Sequence, residues 1–475
     1  MSNARVWLIM TFVCAIGSGG CVFYLNPLCY DDIANGEESD IDCGGGECTP
    51  CIIGRECGAD ADCENSNCVG GTCTPLPCEN GELDGDETAI DCGGSCRPCS
   101  GGKACEVDAD CFSSCAGGTC SALSSVAFAE AVVYPAGFKP YILLSGDLDN
   151  DDVLDLVSVN ETENSLSVFL GQGDGTFTVE PRRLFPEGGD FYPTGGAVVD
   201  LDGDGFQDVV TANWHGNSVS VLPGLGDGTF GPFTDYPTAD LAATQNLAVG
   251  RLDADDRQDV IAVNLDLGSA TQFIGQPAGV LGARATYAVG GPGALPLYVA
   301  IADLNGDGKD DAVFVGEKTV VRLGNGDGTF GAETIYPLPG GMVVPIDVDL
   351  DGDVDLVTAD RATDTVGVLL GRGDGTFLSP LISTTGRRTG PWALALADFN
   401  LDGVPDVVTG NFDSADATLL LGIGNGHFEA PVSAGETGAG SYGLVAADFD
   451  GDGKQDFATC NATTFDMKVT LNASQ

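Results

Sequence analysis

The chain has 475 residues, 71 of them acidic against 19 basic, for a formal net charge of −52. Nucleic acid and anionic membrane surfaces repel such a chain, which excludes both as partners. Hydrophobic residues at 43% and charged residues at 19% exclude a compositionally disordered chain, and 70 glycines favour short strands with tight turns over long helices.

The first twenty residues read as an export signal. Arg5 is their only charge, followed by the apolar run "VWLIMTFVCAIG" and the small residues "SGG" before Cys21. The run is too short to span a bilayer comfortably and reads as a signal core, removed together with Cys14. Cys21 resembles the lipid-carrying cysteine of bacterial lipoproteins, although Ser18 stands where that family prefers a leucine-like residue. Ordinary cleavage or a free thiol at Cys21 are the alternatives. Residues 21–28 would then be a linker. The expected location is the outer membrane or cell surface, otherwise secretion, with the membrane touched only through the lipid.

Nineteen cysteines are too many for a reducing cytosol. Residues 29–75 hold Cys29, Cys43, Cys48, Cys51, Cys57, Cys63, Cys68 and Cys73. Residues 76–122 hold Cys78, Cys92, Cys96, Cys99, Cys105, Cys111, Cys115 and Cys120. "SDIDCGGGECTPC" matches "TAIDCGGSCRPC", and "CVGGTC" matches "CAGGTC". Two modules this small need staples, so four disulfides within each are expected, with pairings that spacing does not fix. Zinc on Cys48/Cys51 or Cys96/Cys99 is the weaker reading in an exported stretch without histidine. Cys460, after "DFAT", reads as a buried, inert thiol.

Over residues 123–475 an acidic motif recurs about every fifty residues, beginning at Asp147, Asp200, Arg251, Asp303, Asp347, Asp398 and Asp448. Short apolar runs flank each copy ("GGAVVD" before, "DVVTAN" after). A third run leads into a glycine turn, as in "SVSVLPGLGDGTF", and a fourth follows, as in "GPFTDYP". Four short strands per repeat predict an all-β, seven-bladed propeller. The sequence stops after a third strand, at "KVTLNASQ". The early segment "FAEAVVYP" has the Phe-to-Tyr spacing of "FGPFTDYP", with Phe128 and Tyr134 matching Phe230 and Tyr236. It is expected to supply the missing outer strand and close the ring.

In each loop, alternate residues place side chains 1, 3 and 5 on one concave side, and a ninth-position carboxylate closes the cage. That set of hard oxygens suits calcium. The expected ligands are Asp147, Asp149, Asp151 and Asp155; Asp200, Asp202, Asp204 and Asp208; Asp303, Asn305, Asp307 and Asp311; Asp347, Asp349, Asp351 and Asp355; Asp398, Asn400, Asp402 and Asp406; and Asp448, Asp450, Asp452 and Asp456. Asp152 replaces the turn glycine of the first copy. The third copy is broken: Asp253, Asp255 and Asp259 remain, but Arg251 takes the first position and is expected to supply its own charge. Six structural calcium ions and one ion-free blade follow.

An EF-hand fails, because its loop needs a Glu where Thr211, Phe314 and Thr459 stand and its flanks should be helices. Carboxylate catalysis is poorly served by near-identical loops around a ring. Solvated, ion-free turns remain possible for Asp and Gly but leave clustered charge uncompensated. No G-x-S-x-G, HExxH or phosphate-loop motif occurs, and His427 replaces Thr in "GNGHF" as a turn variant.

The motifs D-x-[DN]-x-D-G-x-x-D and G-x-G-D-G-T-F resemble FG-GAP or VCBS repeats of bacterial exported proteins, similar to those of the integrin α head. The resemblance covers about 350 residues, and its third copy departs where "FIGQPAGVLGARATY" replaces the glycine turn. The cysteine modules resemble those of bacterial surface lipoproteins, which implies no activity. Propellers of this kind act in adhesion and ligand binding, and some carry lyase or lectin sites. The face opposite the acidic loops holds the candidate anchors Tyr192, Trp214, His215, Arg387, Arg388, Trp392, Phe412 and Tyr442, although several could simply pack between blades. The expected function is non-enzymatic binding of a protein or glycan there. A secreted polysaccharide-acting enzyme or a lectin is the alternative.

Overall fold

In a computed structural model of the chain, the described residues are 125–474 except 186–188, 240, 256 and 292, together with 68–69, 72–73, 103–107, 115–116 and 118–120. The expected leader 1–20, Cys21, the linker 21–28 and most of both cysteine modules lie outside them. The chain divides into two compact units, Met1–Arg97 and Pro98–Gln475. In the first, Cys68–Val69 pairs antiparallel with Thr72–Cys73. In the second, Cys115–Ala116 pairs in the same way with Thr119–Cys120, and Cys105 is disulfide-bonded to Cys115.

Every regular element among the described residues is a strand. Seven antiparallel sheets follow in chain order, each beginning with an inner strand: Pro140–Gly146, Pro193–Val199, Thr244–Gly250, Tyr298–Ala302, Met342–Ile346, Pro391–Ala397 and Ser441–Ala447. Second strands such as Asp208–Asn213 are buried along their whole length, which explains runs like "DVVTAN" that lack polar alternation. The asparagines that end several of these runs donate to neighbouring groups inside the blade. Asn213 Nδ2, for example, donates to Ser218 Oγ at 3.0 Å and to Ser220 Oγ at 2.7 Å on the third strand.

A blade is a single sheet and needs neighbours to cover its apolar faces, so the core lies at the seams. Each of the seven hydrophobic clusters draws on two neighbouring blades, for instance Val210 and Val219 of the second with Val260 and Phe273 of the third. The cluster joining Leu156 and Phe169 of the first blade to Phe449 and Met467 of the last closes the circle. Closure uses the expected strand. Val132–Pro135 pairs with Asp466–Thr470, opposing Tyr134 to Met467, and Phe128 bridges Asn472. Tyr134 also takes the role of an outer-strand tyrosine, its hydroxyl accepting from Phe177 N at 3.1 Å as Tyr336 accepts from Phe377 N at 3.0 Å.

Two blades depart from the common plan. The outer strand of the first is split into Phe177–Val179 and Arg183–Leu184, both paired with Ser165–Gly171. In the third, the glycine turn is replaced by a long hairpin of Ser269–Gln276 and Val280–Ala288, turning through positive φ at Ala278 and Gly279. Cys460 is a buried free thiol in the seam between last and first blades, and burial pushes it up to about 12.

Candidate functional site

The acidic loops join inner and second strands, so all lie on the face where the inner strands end. Their internal bonding is repetitive. In the second blade, Asp200 accepts from Gly203 N at 2.8 Å and Gly205 N at 3.0 Å, and Asp204 accepts from Phe206 N at 2.9 Å. The chain must enter the left-handed region twice to make this turn, at Gly203 and Gly205. The first blade does so with Asn150 and Asp152, residue types that tolerate that conformation. The fifth and sixth blades use Leu350 and Leu401.

The ninth-position aspartate is buried and ties the loop to the third strand. Asp208 Oδ2 accepts from Leu201 N at 3.0 Å, and Oδ1 accepts from Gly224 N at 2.7 Å. Asp155, Asp259, Asp311, Asp355 and Asp406 repeat both bonds, the first from Leu148, Leu252, Leu304, Val348 and Phe399 N and the second from Gly171, Gly275, Gly324, Gly371 and Gly422 N. In the last blade Asn472 N takes the glycine's place on Asp456. This explains the first glycine of each G-x-G-D-G-T-F. A Cβ on Gly224 would stand 2.2 Å from the Gln207 carbonyl oxygen. The turn also latches the previous blade: Gly175 N donates to Phe449 O, Gly228 N to Leu148 O and Gly328 N to Leu252 O, at 2.8–2.9 Å.

Carboxylate oxygens converge in four loops. In the sets Asp147/Asp149/Asp155, Asp200/Asp202/Asp208, Asp347/Asp349/Asp351 and Asp448/Asp450/Asp456, oxygens from all three residues lie within 4.8 Å of one another. Asn305 and Asn400 hold the third position in the fourth and sixth loops, their Oδ1 atoms accepting from Asp307 N and Asp402 N at 3.0 Å. Burial pushes Asp155, Asp208 and Asp355 up to about 6, and Asp406 and Asp456 up to about 7. Asp149, Asp202, Asp349 and Asp450 are also raised, by burial first and then by the fifth-position carboxylate. Asp149 Oδ1 and Asp349 Oδ1 are buried without a hydrogen-bond donor. Raised, converging, partly unpartnered carboxylates fit a hard divalent cation.

The third loop differs from its expectation. Arg251 is exposed, and its backbone N–H donates to Asp310 Oδ2 at 2.6 Å. The guanidinium that pairs with Asp255 belongs to Arg257, two residues away and within reach of a bent side chain. Lys309 on Asp307 and Lys454 on Asp452 make the same local pairing in the fourth and seventh loops.

On the opposite face, the eight candidate anchors separate. Tyr192 stacks on His215 at 4.1 Å between centroids, Trp214 lies 5.6 Å from His215, and His215 Nδ1 is 3.2 Å from Asp190 Oδ2. Trp392 and Phe412 both set an edge to Tyr442, at 5.2 and 4.9 Å. Arg387 and Arg388 are exposed and belong to neither cluster. Arg361 does, lying over Phe412 at 3.9 Å while pairing with Asp413.

Tyr141 is the residue sequence reasoning missed. It stacks on Tyr442 at 4.3 Å and accepts from Gln245 Nε2 at 2.9 Å. The signal was available: Tyr141, Thr194, Gln245, Leu297, Gly341, Trp392 and Tyr442 stand at one shared offset before the acidic motif, and all line the channel mouth.

The FG-GAP-like repeat family matches residues 147–211, 200–262, 303–358, 347–409 and 402–459. No curated protein matches the sequence. Among solved structures, the chain is similar to a streptogramin B lyase, with 14% identity over 73% of this chain and 98% of that one, TM-score 0.50. It is also similar to an Agrocybe aegerita lectin recognising non-reducing terminal N-acetylglucosamine (18%, 72% and 86%, TM-score 0.46). A third likeness is to the periplasmic gluconolactonase of Pseudomonas aeruginosa (17%, 63% and 86%, TM-score 0.48). Identities this low speak for the propeller fold alone. With more than half of its residues matched by the repeat, the chain belongs to the FG-GAP-like repeat proteins.

Proposed function

We propose that this chain is a calcium-clipped, non-enzymatic binding protein, held at the bacterial surface by a lipid on Cys21 and a disulfide-stapled stalk. Its protein or glycan ligand would meet the face opposite the acidic loops. The observation carrying this reading is the division of chemistry between faces: carboxylates converge within the blade loops on one, and aromatic clusters gather on the other. Bound calcium would supply positive charge to the first-, third- and fifth-position side chains. The ninth-position aspartate orients the loop through its two backbone bonds in either state.

A glycan and matrix-protein screen, run with and without chelator, tests the reading. Calcium-dependent binding lost on substitution in an aromatic cluster is expected. Depolymerisation of a polysaccharide without such binding would contradict it. That second outcome is the lyase-like alternative, and one observation favours it: Lys139, ion-paired with buried Glu161, stands near Tyr442.

A further inference from the structure

The channel mouth on the aromatic face is walled in two halves. Adjacent blades contribute Trp392, Tyr442 and Tyr141, an unbroken aromatic arc. Across from it stand Thr194, Gln245 and Asn246. Gly341 contributes no side chain, and a Cβ there would contact the Trp392 ring at 3.6 Å. The enclosed space is about 80 Å³ and opens outward. In a chain of net charge −52, none of the residues lining it is charged.

Two polar groups in this pocket have unused capacity. Asn246 is 3% exposed, and its Oδ1 has no hydrogen-bond donor. A buried amide oxygen left in this state is unfavourable unless a ligand or solvent donates to it. The Tyr141 hydroxyl accepts from Gln245, which leaves its own O–H free to donate. Burial raises that phenol well above its ordinary value, so it stays neutral.

We propose that this pocket binds one uncharged pyranose ring, such as the terminal sugar of a glycan. A pyranose has an apolar C–H face, which suits the aromatic arc, and a rim of hydroxyls that both donate and accept, which suits Asn246 Oδ1 and Tyr141 O–H. Anionic sugars and amines would lose hydration with no countercharge in the lining. The space of about 80 Å³ is smaller than a whole ring, so one edge of the sugar enters at the mouth and the rest lies outside. The inference rests on the binding reading above and narrows it to a ligand class and a site.

The test is calorimetry and saturation-transfer NMR on the full chain in calcium, titrated with glucose, galactose, mannose, N-acetylglucosamine and, as the charged comparison, glucuronic acid. Saturable binding of at least one neutral sugar is expected, with glucuronic acid at least about tenfold weaker. Asn246→Leu keeps the volume and removes the acceptor. It should weaken binding about tenfold without lowering the melting temperature, and Trp392→Phe should weaken it less. No saturable binding by any neutral sugar, equal binding of glucuronic acid, or full binding by Asn246→Leu would each overturn the proposal. Glycan binding that survives Asn246→Leu but is lost in Tyr192→Ala would overturn the pocket and leave the binding face standing. Binding insensitive to both substitutions would overturn both.

Discussion

The acidic loops of the second and third blades share a frame and differ in charge. In each, the ninth-position aspartate accepts one bond from the loop and one from the following strand, through Asp208 in one and Asp259 in the other, all at 2.7–3.0 Å. In the second, Asp200, Asp202 and Asp208 converge on one another. In the third, Arg251 has displaced the first aspartate and Arg257 brings a guanidinium to Asp255. The frame therefore survives loss of the cation set. Position 9 serves the fold in both blades and, in the second, also joins the converging set.

Breaking the shared frame should have the largest effect. Asp208→Ala and Asp259→Ala each leave two buried backbone N–H groups without an acceptor, at a cost of about 2–6 kcal/mol in urea unfolding. Equal losses in both blades are expected in chelator, and a silent Asp259→Ala would show that the frame is not common. Asp202→Asn should remove one calcium from the stoichiometry and about 2–3 kcal/mol of stability in saturating calcium. Asp253→Asn should leave the count unchanged. Conversely, Arg251→Asp combined with Arg257→Gln restores the motif in the third blade, and equilibrium dialysis should find one more calcium per chain.

The pH dependence separates the loops from the rest of the fold. Asp155, Asp208 and Asp355 titrate at about 6, and Asp406 and Asp456 at about 7, all raised from 3.8 by burial. Raised folded values mean that the fold favours the protonated form. In chelator this contribution is complete below the unfolded value and is lost as pH rises through 6 to 7. The metal-free melting temperature should thus fall from pH 5 to pH 8. In calcium the trend should reverse, because protons compete with the cation. The smallest effect is expected at Leu350, exposed and held at φ 63°. Leu350→Gly should gain about 0.5–1 kcal/mol by removing left-handed strain.

Seven blades, their strand order and the closing strand were legible because each rests on a local pattern: the acidic motif, the glycine turn and the Phe-to-Tyr spacing. The motif also located the converging carboxylates. Arg257 was missed because the third loop was read by its vacant first position, whereas charge is paired by whichever side chain reaches. The aromatic face was harder to read. Trp392, Phe412 and Tyr442 meet because neighbouring blades curve around one axis, and Tyr141 joins them only once the first and last blades touch. The one readable sign was the shared offset of Tyr141, Trp392 and Tyr442 before the acidic motif, which places them on one ring without showing that they touch. Arg387 and Arg388 carried the right chemistry for a binding surface, but both are exposed and join neither cluster.

Whether the acidic loops are cation clips is tested most directly by melting the full chain in calcium and in excess chelator at pH 7.5. A large fall in melting temperature in chelator, restored by adding calcium, is the expected result. An unchanged melt would contradict it.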